Sequence, residues 1–217
     1  MKRYILGCLT VAVVFGCWVA SVRAEDIWTP PWDRGLPRTT QQGWTFATDG
    51  TYTSPDEYYN NPYGTPEASI NAGTSQWSQY YHNHIGVWTL GAGNNISLDI
   101  PNTPPDDTKN KYVWTQLYWQ PDNNGIPVVT VDGNVATLMD TQTEPGGWIA
   151  SAYEFVLPHN PAAEDVIVTG SLSGTTFDLG EVYIDTICTV PEPSSLALLA
   201  VGALSLLHAS RKQRLAA

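Results

Sequence analysis

The chain has 217 residues, long enough for one ordinary domain with terminal extensions, and it carries 10 Lys and Arg against 21 Asp and Glu. The acids are concentrated in residues 25–190, where 20 of them face 4 cations. This excess excludes the basic surface on which nucleic-acid binding depends, so no nucleic-acid partner is expected.

Residues 1–24 have the three parts of a secretory signal peptide. Lys2 and Arg3 precede an apolar run at 5–20, and Val22-Arg23-Ala24 places small residues at the cleavage positions. We predict that signal peptidase removes this segment. An uncleaved membrane anchor and a lipoprotein-type cleavage are the alternatives.

Cysteine usage fits an exported protein without internal disulfides. Cys8 and Cys17 lie in the predicted signal peptide, so Cys188 alone remains in the mature chain. We expect Cys188 to be a small buried side chain at the end of the last strand. An intermolecular disulfide is the alternative.

Residues 25–43 contain Pro30, Pro31 and Pro37 and predict an extended lead segment that lies on the following domain. From residue 44 to 189, turn residues and alternating apolar residues recur about every ten positions. Residues 49–75 are rich in turn residues and predict a long loop. The predicted strands are 44–48, 82–90, 95–100, 111–120, 127–131, 135–139, 148–157, 164–169, 175–179 and 181–187.

The turn at Asp132-Gly133, between two apolar runs, predicts a two-residue β-hairpin. No segment between 25 and 190 has convincing helical periodicity. The pattern therefore predicts an all-β fold, a single jelly-roll-like β-sandwich at 44–189.

The strand at 111–120 carries the best binding hint in the domain. One of its faces holds flat rings interleaved with amides, a combination that suits stacking on sugar rings and hydrogen bonding to hydroxyls. The candidate glycan-binding residues are Tyr112, Trp114, Gln116 and Tyr118. The alternative is that the sandwich buries both faces of this strand and packs these rings in its interior.

Signals for metal or catalytic chemistry are weak. His82 and His84 have the spacing of two ligands on one strand face, but no third ligand is evident, and two polar side chains on an outer face explain them more simply. The acidic loops at 104–107 and 122–125 leave calcium as the one cofactor to consider, although ordinary turns also explain them. No catalytic motif is recognisable, so we predict neither catalytic residues nor an enzyme.

The last 28 residues carry the most specific pattern in the chain. Pro191, Glu192 and Pro193 are followed by an apolar run at 194–210, about 26 Å long as a helix and just long enough to span a bilayer. A basic cluster comes next and predicts that the C-terminus stays in the cytoplasm. That cluster consists of Arg211, Lys212 and Arg214.

This tail, at 190–217, resembles the PEP-CTERM sorting signal. The resemblance implies that Pro191, Glu192 and Pro193 are the recognition box of an exosortase, a membrane protease that removes the tail, and that the basic cluster is a stop-transfer signal. It also implies export, transient anchoring in the inner membrane by the helix, and a bacterium that makes exopolysaccharide. The alternative is a plain C-terminal anchor that is never cut.

Taken together, the sequence predicts an exported protein of the cell surface or extracellular matrix, with a structural or adhesive role and binding to glycan, including exopolysaccharide. The alternative is a secreted glycan-active enzyme of the concanavalin-like sandwich type. That class often shows a Glu-x-Asp-x-x-Glu motif, which is absent from this sequence.

Overall fold

The computed structural model describes residues 27–56, 58–71, 73 and 76–189. They form thirteen strands and one short 3₁₀ helix at Pro145–Gly147. The strands are β1 (Thr39–Trp44), β2 (Tyr58–Asn60), β3 (Glu67–Asn71), β4 (Gln76–Tyr81), β5 (His84–Gly91), β6 (Asn95–Pro101), β7 (Asn110–Asp122), β8 (Pro127–Val131), β9 (Asn134–Val135), β10 (Thr137–Thr143), β11 (Ile149–Leu157), β12 (Ala163–Gly170) and β13 (Thr176–Thr189).

The strands form two antiparallel sheets. The larger sheet has the order β10-β11-β7-β13-β1-β2, with β5 also paired to β13 and β4 paired to β5. The smaller sheet has the order β3-β6-β12-β8-β9. The all-β prediction is confirmed, and the jelly-roll topology stays a prediction.

One apolar core lies between the sheets. Strand alternation turns Ile96, Leu98 and Ile100 of β6 inward, as predicted, while Ser97 and Asp99 point away. From the larger sheet, Leu117 and Ile184 belong to the same buried cluster. The two sheets therefore pack face to face in the manner of a sandwich.

The longest strand, β13, organises the larger sheet. It pairs with β7 over its full length, while its other edge pairs first with β5 and then with β1. A bulge between Leu179 and Glu181 separates these two parts. The two predicted strands at 175–179 and 181–187 are thus one strand with an irregularity at Gly180.

Several predicted elements are corrected. The predicted strand at 44–48 is wrong, because β1 ends at Trp44 and occupies five residues of the predicted lead segment. The predicted loop at 49–75 contains β2 and β3, two short strands at sheet edges. The predicted hairpin at Asp132-Gly133 is confirmed: it joins β8 to β9, and both residues have the positive φ that this turn requires.

Candidate functional site

The face of the larger sheet that points away from the core, here called the outer face, carries most of the polar and aromatic residues predicted to bind. Alternation along β7 places Trp114, Gln116 and Tyr118 on it, as predicted. Their exposed fractions are only 8, 4 and 4 %. The outer face is therefore covered rather than open.

The cover is the lead segment, residues 27–38. The Trp28 backbone N–H donates to Gln116 Oε1 at 3.0 Å, and Gln116 Nε2 donates to the Trp28 carbonyl oxygen at 2.9 Å. The amide of Gln116 thus replaces the partner that a neighbouring strand would supply, and it satisfies both polar groups of one backbone residue. Ile27 and Trp28 also pack against the buried rings beneath them.

A second attachment lies further along the lead segment. Arg34 makes a bidentate ion pair with Asp185 of β13, at 2.8 Å from Nε to Oδ1 and 2.7 Å from Nη2 to Oδ2. The Asp185 side chain is buried. Planar, two-point pairing of this kind fixes both position and orientation of the segment.

Under the cover, a histidine and a carboxylate form a buried pair. His84 Nε2 lies 2.8 Å from Glu181 Oε1, and the Tyr183 hydroxyl donates to Glu181 Oε2 at 3.0 Å. The absence of a side chain at Gly180 lets the chain pass close to His84, because a Cβ there would lie 3.0 Å from the imidazole Cε1. The bulge also lets Leu179 face the core while Glu181, two residues later, lies on the outer face with Tyr183.

Two rings complete this His84 cluster. Tyr118 and Trp148 stack with a centroid distance of 4.8 Å and an interplanar angle of 7°. The imidazole of His84 lies 4.9 Å from the Trp148 ring and 5.5 Å from the Tyr118 ring. Burial, with smaller contributions from the Glu144 and Glu181 carboxylates, raises the pKa of Tyr118 to about 12. The cluster is a compact second core.

Of the four predicted binding residues, only Tyr112 reaches the rim of the cover, where it is half-buried and meets Trp32 edge to face at 6.4 Å. Trp114, Gln116 and Tyr118 are buried beneath the cover. The alternative that both faces of this strand are buried is thus correct for these three. Glycan binding by the set stays a prediction.

The lead segment itself forms a concave surface beside Tyr112. It is lined by Thr29, Pro30, Pro31, Trp32, Asp33, Arg34 and Leu36. Trp32 is half-buried, and its Nε1–H has no hydrogen-bond partner among the described residues. A flat ring next to a guanidinium and a carboxylate is suited to a polar ligand with a flat apolar side.

Sequence reasoning missed the His84 cluster. His82 is not on a strand but in the left-handed turn before β5, so the predicted pair of histidines on one face is wrong. His84 alone points to the outer face, where it is buried. Alternation along β13 predicts that Glu181, Tyr183 and Asp185 share one face of the strand. It does not predict that another segment buries that face.

Two carboxylates of the acidic loops, those of Asp106 and Asp122, have hydrogen-bond partners within the domain. Asp106 accepts from the Thr108 N–H at 3.0 Å and pairs with Lys109, and this hydrogen bond to Lys109 is the main cause that lowers the Asp106 pKa. Asp122 accepts from the Thr176 hydroxyl at 2.6 Å. Among the described residues, no group of three or more His, Cys, Asp or Glu side chains is arranged to hold a metal.

The sorting box and the basic cluster, residues 191–193 and 211–214, lie outside the described residues, as do the predicted signal peptide and membrane helix. Strand β13 ends at Thr189, two residues before Pro191. Cys188 is buried near that end, as predicted, and its Sγ donates to Asn160 Oδ1 at 2.6 Å. Within the described ranges, none of the helical structure is long and apolar enough to cross a membrane.

Residues 189–212 match the PEP-CTERM protein-sorting motif. The resemblance of the tail is therefore confirmed, and the motif indicates an exported protein with a C-terminal sorting tail that an exosortase processes. The match covers this tail and not the sandwich.

No curated protein matches the sequence. Among solved structures, the chain is similar to an exo-β-1,3-galactanase from Phanerochaete chrysosporium with β-1,3-galactotriose, at 16% identity and a TM-score of 0.37, over 67% of this chain and 29% of that one. The same enzyme with galactose gives the same identity and TM-score over 56% and 29%. The chain spans less than a third of that enzyme, and at this TM-score the likeness supports no inference about fold or function.

Proposed function

We propose that this protein is an exported, exosortase-processed component of the cell surface or extracellular matrix, with a structural or adhesive role and without catalytic activity. The observation that carries the proposal is the sorting motif at 189–212, which begins where β13 ends. The large sheet thus runs directly into the segment that the protease recognises. The jelly-roll-like sandwich is the part delivered to the surface.

The recognition step depends on Glu192, since it supplies the one charge in the Pro-Glu-Pro box. In cells that contain an exosortase, Glu192→Ala is expected to leave the tail attached and the protein in the inner-membrane fraction. The matched control is Glu67→Ala, which removes an exposed acid from β3. Release of Glu192→Ala to the medium at the wild-type level, with the tail removed, would contradict the proposed role of the box.

We further propose that the surface around Trp32 and Tyr112 contacts exopolysaccharide. Support comes from two half-buried rings in edge contact and from the neighbouring Asp33 and Arg34 side chains. Residues 25–190 carry 16 more acids than cations, so the favoured ligand is an uncharged glycan rather than a polyanion.

Affinity electrophoresis in gels that contain the purified exopolysaccharide tests this contact. Trp32→Ala should abolish most of the retardation, because it removes the larger ring, while Tyr80→Ala removes an exposed tyrosine on β4 and serves as the matched control. Equal retardation of the two variants would overturn the binding surface. Release of reducing sugar by the wild type would instead support the alternative of a glycan-active enzyme.

A further inference from the structure

Three polar side chains are buried together at one end of the sandwich core. Lys111 of β7 is 1 % exposed, Glu164 of β12 is 0 % exposed, and Asn102, the residue that follows β6, is 8 % exposed. Lys111 belongs to the larger sheet and Glu164 to the smaller one, and Asn102 directly follows β6 of the smaller sheet. The triad therefore bridges the two sheets through the interior.

The contacts of the triad form a closed triangle. Lys111 Nζ donates to Asn102 Oδ1 and lies 3.3 Å from Glu164 Oε1. Asn102 Nδ2 donates to the other carboxylate oxygen, Glu164 Oε2. One carboxylate thus contacts both nitrogens, and Nζ lies beside the amide carbon to which Oδ1 is bonded.

The buried position of the triad favours the neutral form of Glu164. Burial is the largest influence on Glu164 and raises its pKa to about 7, against the lowering influence of the Lys111 charge and of the hydrogen bonds from Asn102 and Lys111. Moving the proton from the ammonium to the carboxylate would remove both charges from the core. It would also leave a neutral amine, the nucleophilic form of lysine, next to a carbonyl carbon.

We propose that Lys111 and Asn102 join through an intramolecular isopeptide bond, an amide between Lys111 Nζ and Asn102 Cγ, with Glu164 as the proton shuttle. The three groups are held in contact inside a packed core, which supplies the proximity that an uncatalysed amide exchange lacks in water. The residues of this triad take no part in the sorting signal or in the surface around Trp32.

The step balances without an oxidant or another reactant. Glu164 takes one proton from the Lys111 ammonium, and the neutral Nζ attacks Asn102 Cγ to form the new C–N bond. The protonated Glu164 then donates to Nδ2, the bond between Cγ and Nδ2 breaks, and Nδ2 leaves as ammonia. The ammonia carries off the second proton that Nζ loses and departs as ammonium, so Glu164 ends as a carboxylate.

The cross-link would tie the end of β6 to the start of β7. Lys111 pairs in register with Cys188 of β13, one residue before that strand ends. The bond would therefore fasten the two sheets at the end of the sandwich from which the sorting tail departs. Such a covalent tie suits a surface protein that has only one cysteine in its mature sequence.

Mass spectrometry of the full-length chain purified from its host tests the proposal. The wild type should be lighter than its sequence mass by one ammonia, about 17 Da, because amide exchange expels the amide nitrogen. Trypsin cuts after Lys109, and in the linked protein the peptides on both sides of that cut should remain joined through Asn102 and Lys111. A wild type with separate peptides would overturn the proposal, whatever the variants do.

Two variants separate this reaction from other losses of ammonia. Lys111→Arg keeps a cation that stays protonated and cannot attack, so it should show neither the mass loss nor joined peptides. Glu164→Gln keeps the volume but removes the proton acceptor, and linkage should slow by at least about 100-fold, the usual contribution of a general base. Persistence of the mass loss in Lys111→Arg would place it elsewhere, for example at Asn124-Gly125, and would contradict the cross-link.

Discussion

Asp185 and Arg34 show how single contacts fix the lead segment to the sandwich. The carboxylate is buried, and both of its oxygens accept from the guanidinium. The cation is partly exposed, so solvent screening reduces the value of the pair below that of a fully buried one. Even so, detachment of the lead segment would remove the ion-pair partner of Asp185, whose side chain is buried in the folded protein.

Replacing Arg34 by alanine is expected to lower the free energy of unfolding by about 2 kcal/mol, since a charge-assisted, bidentate hydrogen bond is lost beside a buried carboxylate. Urea denaturation of the exported protein measures this change. Arg38→Ala removes an exposed cation four residues later and should change the stability little. Equal stability of the two variants would mean that the ion pair does not hold the segment.

The buried tyrosine hydroxyls make the stability of the folded protein depend on pH above about 10. Burial raises the pKa of Tyr52, Tyr118 and Tyr153 to about 12 from the usual 10.0. Between these values the unfolded chain loses phenolic protons that the folded chain keeps, so stability should fall as the pH rises from about 10 to about 12.

Ultraviolet titration of tyrosinate checks this expectation. The hydroxyls of Tyr52, Tyr118 and Tyr153 should ionise late, together with unfolding. Tyr118→Phe should reduce the late group by one. A titration in which all tyrosines ionise near pH 10 in the folded protein would contradict the buried positions of these three hydroxyls.

At the scale of elements, β6 is a strand whose bounds the sequence predicted well, because one of its faces is buried and the other is not. In β6 the isoleucines and the leucine alternate with polar residues, so the period of two is visible. Strand β1 has six buried residues but consists of TTQQGW, and its only large apolar side chain is the last one. Both faces of β1 are buried by segments that are distant in the sequence. Its own residues therefore show no alternation of apolar and polar side chains that would predict a strand.

Short edge strands were missed for a related reason. Strand β4 has no simple alternation of burial, and β2 has only three residues. The prolines and asparagines around Asn61 are true turn signals, and they mask the strands between them. The cover on the outer face could not be predicted either, because nothing in the sequence pairs Trp28 with Gln116, 88 positions away.

Loss of the Gln116 amide should loosen the lead segment. In Gln116→Leu the backbone N–H and C=O of Trp28 lose both partners, and trypsin cleavage after Arg34 or Arg38 should accelerate about tenfold, because local opening costs less free energy. Gln142→Leu changes an exposed glutamine of β10 and is the matched control. Limited proteolysis followed by gel densitometry gives the rates, and identical rates would show that the segment is held by other contacts.

At the scale of the whole molecule, the chain combines an acidic β-sandwich with a C-terminal sorting motif. The sandwich needs no disulfide, because its strands bury a continuous apolar core between two sheets. Export and fold class could be predicted from the sequence, since signal segments and strand patterns are local. The ligand surface could not, because the lead segment covers the face that the strand pattern pointed to.

The final step of the proposed route, removal of the tail by the exosortase, is tested most directly by the intact mass of the mature protein from exosortase-containing cells. The proposal predicts that the exported form ends near Pro191-Glu192-Pro193 and lacks Arg211, Lys212 and Arg214. An extracellular protein that still carries those three residues would contradict it, because the tail would then be an uncut segment rather than a sorting signal.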